Sequence, residues 1–201
     1  PAGANCMQES LKKGEVTTLP GVNTIADGTA VKTPGKNIFP YIQKNLDDII
    51  TVPDEELVVA FLDIVENHKM VVENSGLLTV AALKHLNVQN QRVVSILSGG
   101  DMDIITMSSV VHQGLIFRDR IFTVSVLLPD KPGMLSKVAD VIAKENGNVI
   151  KLEHNQFVSI NRSAAVELRI TLETFGTEHK NQIIKALEEK GYQPKQVRTN
   201  I

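Results

Sequence analysis

The residues best suited to chemistry are Ser98, Gly99 and Gly100, which directly follow the apolar segment of residues 92–97. That apolar run predicts a strand buried on both faces of a parallel sheet. The two glycines would let a ligand or another backbone segment approach the Ser98 hydroxyl closely. Ligands bind at this end of the strands in open α/β sheets, so one interpretation of Ser98 is a ligand contact. The other, which the pattern alone favours, is a strand-to-helix turn in which the serine caps the next helix.

The composition narrows the possible classes of function. The 201 residues carry 21 basic and 23 acidic side chains, a net charge of −2, which gives no electrostatic signature of nucleic acid or anionic membrane. Cys6 is the single cysteine, so no internal disulfide can form, and no apolar run reaches the roughly 20 residues of a membrane span. No secretory signal is recognisable at the first residues. These features predict a cytoplasmic protein.

The first half of the chain alternates helical and extended patterns, which predicts an α/β layer with parallel strands. Its clearest helix begins after Pro53, where acidic residues 54–56 suit the positive end of a helix dipole. Residues 21–35 lack a sustained period, and such long connections are usually functional or packed onto other elements. Strands are predicted at residues 49–52, 70–72 and 92–97, and helices at residues 4–13, 36–46, 77–86 and 102–115.

The second half has a different pattern. A strand at residues 121–128 leads through a tight turn at residues 130–133 into a helix that Gly147 ends,. Further strands are predicted at residues 149–157, 166–173 and 193–198, with a helix beginning at Thr177. The order βαββαβ predicts a ferredoxin-like sandwich of four strands with both helices on one face. We therefore expect two domains, residues 1–115 and 116–201.

Short motifs in both halves resemble one enzyme family. Residues 117–198 resemble an ACT domain, an amino-acid-sensing module, chiefly through VSVLLPDKPGMLSKVADVIAKENGNVI. Residues 1–115 resemble the C-terminal portion of the catalytic domain of threonine ammonia-lyase, a pyridoxal-phosphate enzyme of the tryptophan synthase β-like fold type II. The matching motifs are IADG at 25–28, NLDDIITVPDEEL at 45–57, VVENSG at 71–76 and ILSGGDMD at 96–103. The resemblance implies a partial three-layer α/β domain followed by a single ACT domain.

The resemblance also assigns a cofactor site. It implies that Ser98 meets the pyridine nitrogen of pyridoxal phosphate, with Gly99 and Gly100 passing beside the ring. Asp27, Gly28 and Glu73 match positions that line the same cleft. The sequence is as compatible with structural roles as with these cleft positions. Asp27 could stabilise a turn, and Glu73 could lie beside a helix N-cap. A neutral hydroxyl would leave the ring nitrogen largely unprotonated, which suits elimination of a hydroxyl group from threonine or serine.

Two features of the family have no counterpart in this sequence. No stretch matches the lysine that forms the Schiff base or the glycine-rich loop that holds the cofactor phosphate, so no catalytic residue is assigned and the chain alone should be inactive. Relatives such as serine racemase bind a metal near the segment matching residues 1–7, where Cys6 now replaces an expected acid. Hard divalent cations prefer oxygen ligands, so we expect no metal. The spacing of the histidines does not match a set of metal ligands, so we interpret them as surface or core residues.

In the second half, the resemblance places an effector site at the turn after the first strand. It comprises Asp130, Lys131, Pro132, Gly133, Met134 and Leu135, together with Asn148. Backbone amides at a helix start can bind an amino acid's carboxylate, and Asn148 could bond its polar groups across a dimer interface. A purely structural loop is the alternative. Because ACT domains usually pair side by side, we also expect a homo-oligomer.

The resulting hypothesis is the C-terminal part of a threonine ammonia-lyase that converts L-threonine to 2-oxobutanoate and ammonia under the control of a small amino acid. One alternative is a stand-alone amino-acid-binding regulator whose first half is a scaffold. Another is a relative of serine dehydratase or serine racemase, against which the ACT-like half argues weakly.

Overall fold

A computed structural model of the chain describes residues 1–156 and 166–200. The chain divides into two compact units, Pro1–Gly114 and Leu115–Ile201. Each unit has a separate hydrophobic core. The predicted end of the second strand at Phe157 lies outside the described residues.

The first unit is a cluster of helices around the side chains of one central helix. Helix α3, Asp54–Asp63, extends into a π-helical turn at Ile64–His68 and buries Leu57 and Phe61 completely. Its acidic first turn and apolar face are those that the sequence predicts. The remaining α-helices of this part of the chain are α1, Cys6–Lys13; α2, Phe39–Asn45; α4, Leu78–Ala81; and α5, Ile104–Phe117. Short 3₁₀ helices lie at Ala2–Ala4, Asp27–Thr29, Asn74–Leu77 and Ala82–His85.

The long connection at residues 21–35 is anchored on the first residue of α3. Asp54 accepts hydrogen bonds from the Thr24 hydroxyl at 2.6 Å and from the Ile25 backbone N–H at 2.8 Å. Ala26, the next residue, is fully buried. A carboxylate that accepts two hydrogen bonds at a helix start fixes the entry of this loop into the core, and the loop then carries Asp27 and Gly28.

The short parallel strands predicted in the first half are wrong. Residues 1–114 are all described, and none of them is assigned to a strand. The segment 92–97 is extended beside α4, where the Thr79 hydroxyl donates to Ile96 O and Thr79 O accepts from the Ser95 hydroxyl. Val94 is 89% exposed and Ile96 is 71% exposed. Apolar composition predicts burial, but a strand also needs a neighbouring strand to pair its N–H and C=O groups, and the described residues supply none here.

The second unit confirms the ferredoxin-like prediction. Its antiparallel sheet has the order β2-β3-β1-β4, with β1 at the centre beside β3 in continuous register from Ile121↔Glu173 to Leu128↔Val166. Strand β2 occupies one edge, and a register shift between Val149 and Lys151 marks an irregularity in its pairing. The strands are β1, Ile121–Leu128; β2, Asn148–Asn155; β3, Val166–Glu173; and β4, Lys195–Val197.

Helices α6, Met134–Lys144, and α7, Thr177–Glu189, pack on the sheet. Val138, Ile142, Ile183 and Leu187 are fully buried against the alternate strand residues, which is the helix spacing that the sequence predicts. The start of α7 is held by Asp119, whose carboxylate accepts from Lys180 Nζ at 2.8 Å and from the Thr177 hydroxyl at 2.8 Å. No helix within the described ranges 1–156 and 166–200 is long and apolar enough to cross a membrane.

Candidate functional site

Glu73 lies where three segments of the first unit meet. Its backbone N–H donates to Gly99 O at 3.3 Å, and its side-chain Oε2 accepts from the Asp101 backbone N–H at 3.3 Å. It occupies the N-cap position of the 3₁₀ helix Asn74–Leu77, but its carboxylate makes no capping hydrogen bond there. The side chain is therefore directed at the turn after Ser98 and not at its own helix.

Glycines allow the close approach of these segments. Gly99 has φ +83°, and a Cβ on it would overlap the Glu73 carboxyl group. A Cβ on Gly28 would lie 2.7 Å from Ser75 Oγ and 3.3 Å from Glu73 Oε1, and one on Gly76 would overlap Ser98 O. Only glycine fits such contacts without displacing the neighbour. The structure thus brings Gly28, Glu73 and the Ser98–Gly99 turn together.

The turn itself is exposed. Ser98, Gly99 and Gly100 are all solvent-exposed, and Gly100 has no atom near its Cβ position. Ser98 does not cap the next helix, because α5 begins at Ile104. Asp103 caps it instead: its carboxylate accepts from the Ile105 and Thr106 backbone N–H groups and from the Thr106 hydroxyl.

The hydrogen bond from the Thr106 hydroxyl keeps the pKa of Asp103 below its usual range, because it stabilises the ionised carboxylate. Because Asp103 and not Ser98 caps α5, the structure does not support the interpretation of Ser98 as a helix cap. Its role toward a ligand stays a prediction.

A cavity of about 430 Å³ opens beside Glu73. Its polar wall includes the carboxylates of Asp27, Glu73 and Asp101, and its apolar wall includes Ile25 and Val58. Asn74 also lines it; this side chain is 4% exposed and donates to Ile25 O at 3.1 Å, while its Oδ1 has no partner. Ser75 Oγ is likewise buried without a partner. Such unsatisfied polar atoms often mark a place for a ligand or water.

These residues fit one side of pyridoxal phosphate but not the whole cofactor. Ser98 is exposed, and its hydroxyl can donate to or accept from a ring nitrogen, although Ser98, Gly99 and Gly28 are not among the residues that line the cavity. None of the described residues that line the cavity is a lysine, arginine or histidine, and acidic walls repel a phosphate group. The cofactor's phosphate would therefore have to be held by groups other than these.

Within residues 1–156 and 166–200, no three His, Cys, Asp or Glu side chains are arranged to hold a metal ion. Cys6 is buried in α1. His85 pairs with Glu56 at 2.7 Å. His179 is buried, with Nδ1 accepting from the Phe175 backbone N–H at 3.1 Å and Nε2 bonded to Glu145 O at 2.5 Å.

In the second unit, the predicted effector turn lines a cavity of about 330 Å³ between the ends of β1, β2 and β3. Gly133 there has φ +83° and is the N-cap of α6. All six predicted turn residues contribute to the cavity: Asp130, Lys131, Pro132, Gly133, Met134 and Leu135.

Asn148 does not join this cavity. It begins β2 and pairs with Glu173, at the opposite end of the sheet from Leu128 and Val166. Its side-chain amide donates to Glu173 Oε2 at 3.0 Å. Within one copy of the chain, the turn and Asn148 are therefore separate.

Sequence reasoning did not assign several of the polar residues that line these cavities, among them His154 and Asn74. His154, near the end of β2, lines the cavity at the predicted effector turn, and no sequence signal marked it. Asn74 has no sequence signal beyond its place in the VVENSG motif, because its unpaired Oδ1 depends on the fold.

Two parts of the chain match known families. Residues 1–99 match the family described as pyridoxal-phosphate dependent enzyme, and residues 122–191 match the ACT domain.

Full-length relatives match most of the chain. The chain is 36% identical over 193 residues to the L-threonine ammonia-lyase of Geobacter sulfurreducens, covering 95% of this chain and 48% of the relative. It is 31% identical over 188 residues to the L-threonine ammonia-lyase of Thermotoga maritima, covering 93% and 47%. The chain thus spans about half the length of these curated relatives.

A solved structure is also similar, that of the processed form of threonine deaminase isoform 2 from Solanum lycopersicum. Its TM-score is 0.54 at 28% sequence identity, and the match covers 58% of this chain and 33% of that one.

Proposed function

The chain joins part of a pyridoxal-phosphate-dependent enzyme domain to an ACT domain and is homologous to the L-threonine ammonia-lyases, and on that premise we propose that it supplies the ring side of the cofactor site and the regulatory domain of such an enzyme. The reaction would be the conversion of L-threonine to 2-oxobutanoate and ammonia. The observation that carries the proposal is the meeting of Gly28, Glu73 and the Ser98–Gly99 turn, at a point where Glu73 also lines a cavity of about 430 Å³.

The proposed roles follow from the chemistry of these groups. When bound, pyridoxal phosphate supplies an electron-withdrawing ring that eases loss of the α proton of an amino acid. The Ser98 hydroxyl would hold the ring nitrogen without placing a charge beside it. Gly28 and Gly99 would keep the backbone close to the ring plane. Asp27 would line the polar wall of the cleft.

The sequence contains no match to the family's Schiff-base lysine motif or phosphate loop, so this chain by itself should not catalyse the reaction. We expect neither a visible Schiff-base absorption band nor 2-oxobutanoate when pyridoxal phosphate and L-threonine are added to it. Either signal would overturn the requirement for those two elements.

The activity itself is tested by a chimera that joins this chain to the portion of the Geobacter sulfurreducens relative that it does not match. We expect the chimera to release 2-oxobutanoate from L-threonine. A chimera that binds pyridoxal phosphate yet forms no 2-oxobutanoate would refute the proposal, and D-serine formation from L-serine would favour the racemase alternative.

A cytoplasmic location, consistent with the single unpaired cysteine, belongs to the same proposal.

The ACT domain is proposed to bind an amino-acid effector at the turn of residues 130–135. Lys131 and Asp130 offer opposite charges to a zwitterion, and Leu128, Val166 and Leu168 offer apolar walls. Edge strand β2 is exposed along its length, which supports a homo-oligomer formed through this domain.

Calorimetric titration of the chain with isoleucine, valine, serine and threonine tests effector binding. Lys131→Ala should weaken any binding that is seen, whereas Lys137→Ala should not, because Lys137 is exposed on α6 and does not line the cavity. Equal weakening by both substitutions would contradict the assignment.

A further inference from the structure

Glu73 contacts the turn after Ser98 through both its main chain and its side chain. The backbone N–H of Glu73 bonds Gly99 O, and the carboxylate accepts the backbone N–H of Asp101. The two contacts are made by the residues that precede and follow Gly100 in the sequence. At 3.3 Å the bond to the carboxylate is longer than the strongest charge-assisted hydrogen bonds,, but together with the main-chain bond it attaches the turn to Glu73 at two points.

Gly99 shows how tightly the carboxylate is placed. The residue adopts φ +83°, and the site of a missing Cβ is already filled by the carboxyl group of Glu73. The turn therefore curls around the carboxylate. A side chain at Gly99 and the carboxylate of Glu73 cannot occupy their present positions together.

The other carboxylate oxygen faces a different segment. Glu73 Oε1 lies 3.3 Å from the Cβ position of Gly28, and the loop that carries Gly28 is anchored on α3 through Asp54. Glu73 itself is half-buried. Its carboxylate therefore lies between the Ser98 turn and a loop that is anchored on α3.

We propose that Glu73 is a positioning residue that holds the Ser98–Asp101 turn, and thereby the Ser98 hydroxyl, against the Asp27–Gly28 loop. It acts on Ser98 through the Asp101 N–H and does not itself bind the ligand. That the ligand is the ring of pyridoxal phosphate rests on the proposed function. The positional role itself can be measured on this chain without any cofactor.

The test is amide hydrogen exchange measured by NMR on the full chain. In Glu73→Ala the Asp101 amide should exchange roughly tenfold faster or more, because a hydrogen bond to a charged group is lost. Glu73→Gln keeps an acceptor oxygen and should restore most of the protection. Asp27→Asn is the matched control: its carboxylate also lines the cavity but bonds only the Gly28 N–H, so it should leave the Asp101 amide unchanged.

Rescue by Glu73→Gln is a readout that a merely structural role would not give, because only an acceptor at this position restores the hydrogen bond to the Asp101 N–H. Glu73→Gln also keeps the proposal testable if Glu73→Ala fails to fold, since its Asp101 amide should then exchange nearly as slowly as in the unmodified chain. Unchanged exchange at Asp101 in Glu73→Ala, or a loss of protection in Glu73→Gln as large as that expected for Glu73→Ala, would overturn it. Either result would leave the proposed function intact.

Discussion

Ser125 and Glu167 are joined across the central strands of the ACT sheet: the Ser125 hydroxyl donates a 2.7 Å hydrogen bond to Glu167 Oε1. Arg169 Nε lies 3.0 Å from the same oxygen. Both Ser125 and Glu167 are buried. The Ser125 hydrogen bond, with a smaller contribution from Arg169, lowers the pKa of Glu167 below its usual 4.5.

This relationship predicts a loss of stability in acid. Because the pKa of Glu167 is lower in the folded than in the unfolded state, its contribution to stability is fully present above about pH 4.5 and is lost as the pH falls through the folded-state value. Glu167→Gln should flatten this part of the stability–pH curve, measured by urea unfolding between pH 3 and 7. Glu153→Gln is the control, since Glu153 is about half exposed and, among the described residues, forms an ion pair with Lys151 in the same sheet. Equal acid sensitivity in Glu167→Gln and the unmodified chain would contradict the prediction.

The two glycines after Ser98 should differ sharply on substitution. Gly99→Ala places a Cβ into the Glu73 carboxyl group at φ +83°, and the left-handed conformation alone costs about 1–2 kcal/mol for a residue with a side chain. Gly100→Ala meets no atom and should change stability by about 0.5 kcal/mol or less. Calorimetric unfolding of both variants measures the difference. Similar values for the two would mean that the turn is not held against Glu73.

The ion pair at the start of α7 should matter more than a similar pair at its end. Lys180 and Asp119 are 2.8 Å apart, with side chains 12% and 19% exposed. Lys180→Ala leaves a partly buried carboxylate short of a partner and should cost about 1–3 kcal/mol. Lys185 and Glu189 are 3.8 Å apart and mostly exposed, so Lys185→Ala should cost about 0.5 kcal/mol or less. Urea unfolding of the two variants provides the comparison, and equal losses would argue against a structural role for Asp119.

The exposed apolar segment beside α4 should affect self-association rather than folding. Val94→Lys and Ile96→Lys alter side chains that are 89% and 71% exposed, so stability should change by about 0.5 kcal/mol or less. Light scattering should show less association, because an exposed, extended apolar segment can pair with another chain. Leu77→Ala is the contrast: the side chain is fully buried and its truncation should cost about 2–5 kcal/mol. A large stability loss in Val94→Lys would show that this segment packs into a core.

The spacing of apolar residues was sufficient to predict those helices and strands whose buried face follows from their own sequence. Helix α3 and strands β1 and β3 lie where the patterns predict, because their apolar positions recur at the helical or strand period. The family and the fold class inferred from the motifs are confirmed by the matches at residues 1–99 and 122–191.

Pairing between distant segments could not be predicted in the same way. The apolar residues Val94 and Ile96 predicted a buried strand, and that prediction is wrong. A strand requires a neighbouring strand to pair with, which the composition of one segment does not reveal. The junction at Glu73 was anticipated only as a set of residues in one cleft. Its hydrogen bond to Asp101 depends on the side-chain direction, which no single-sequence pattern specifies. The ligand roles of Ser98, Gly99, Gly100, Asp27 and Gly28 stay predictions.

The separation of Asn148 from the effector turn has a consequence for how regulation would depend on concentration. Five residues of β2 separate Asn148 from His154, which places these two residues roughly 20 Å apart along the strand, more than one free amino acid can span. An effector that touched both groups would have to take each from a different copy of the chain. Its affinity would then rise with the amount of protein present, and the effector would in turn drive dimerisation by mass action. Occupancy of such a shared site would depend on the product of two concentrations, that of the effector and that of the chain.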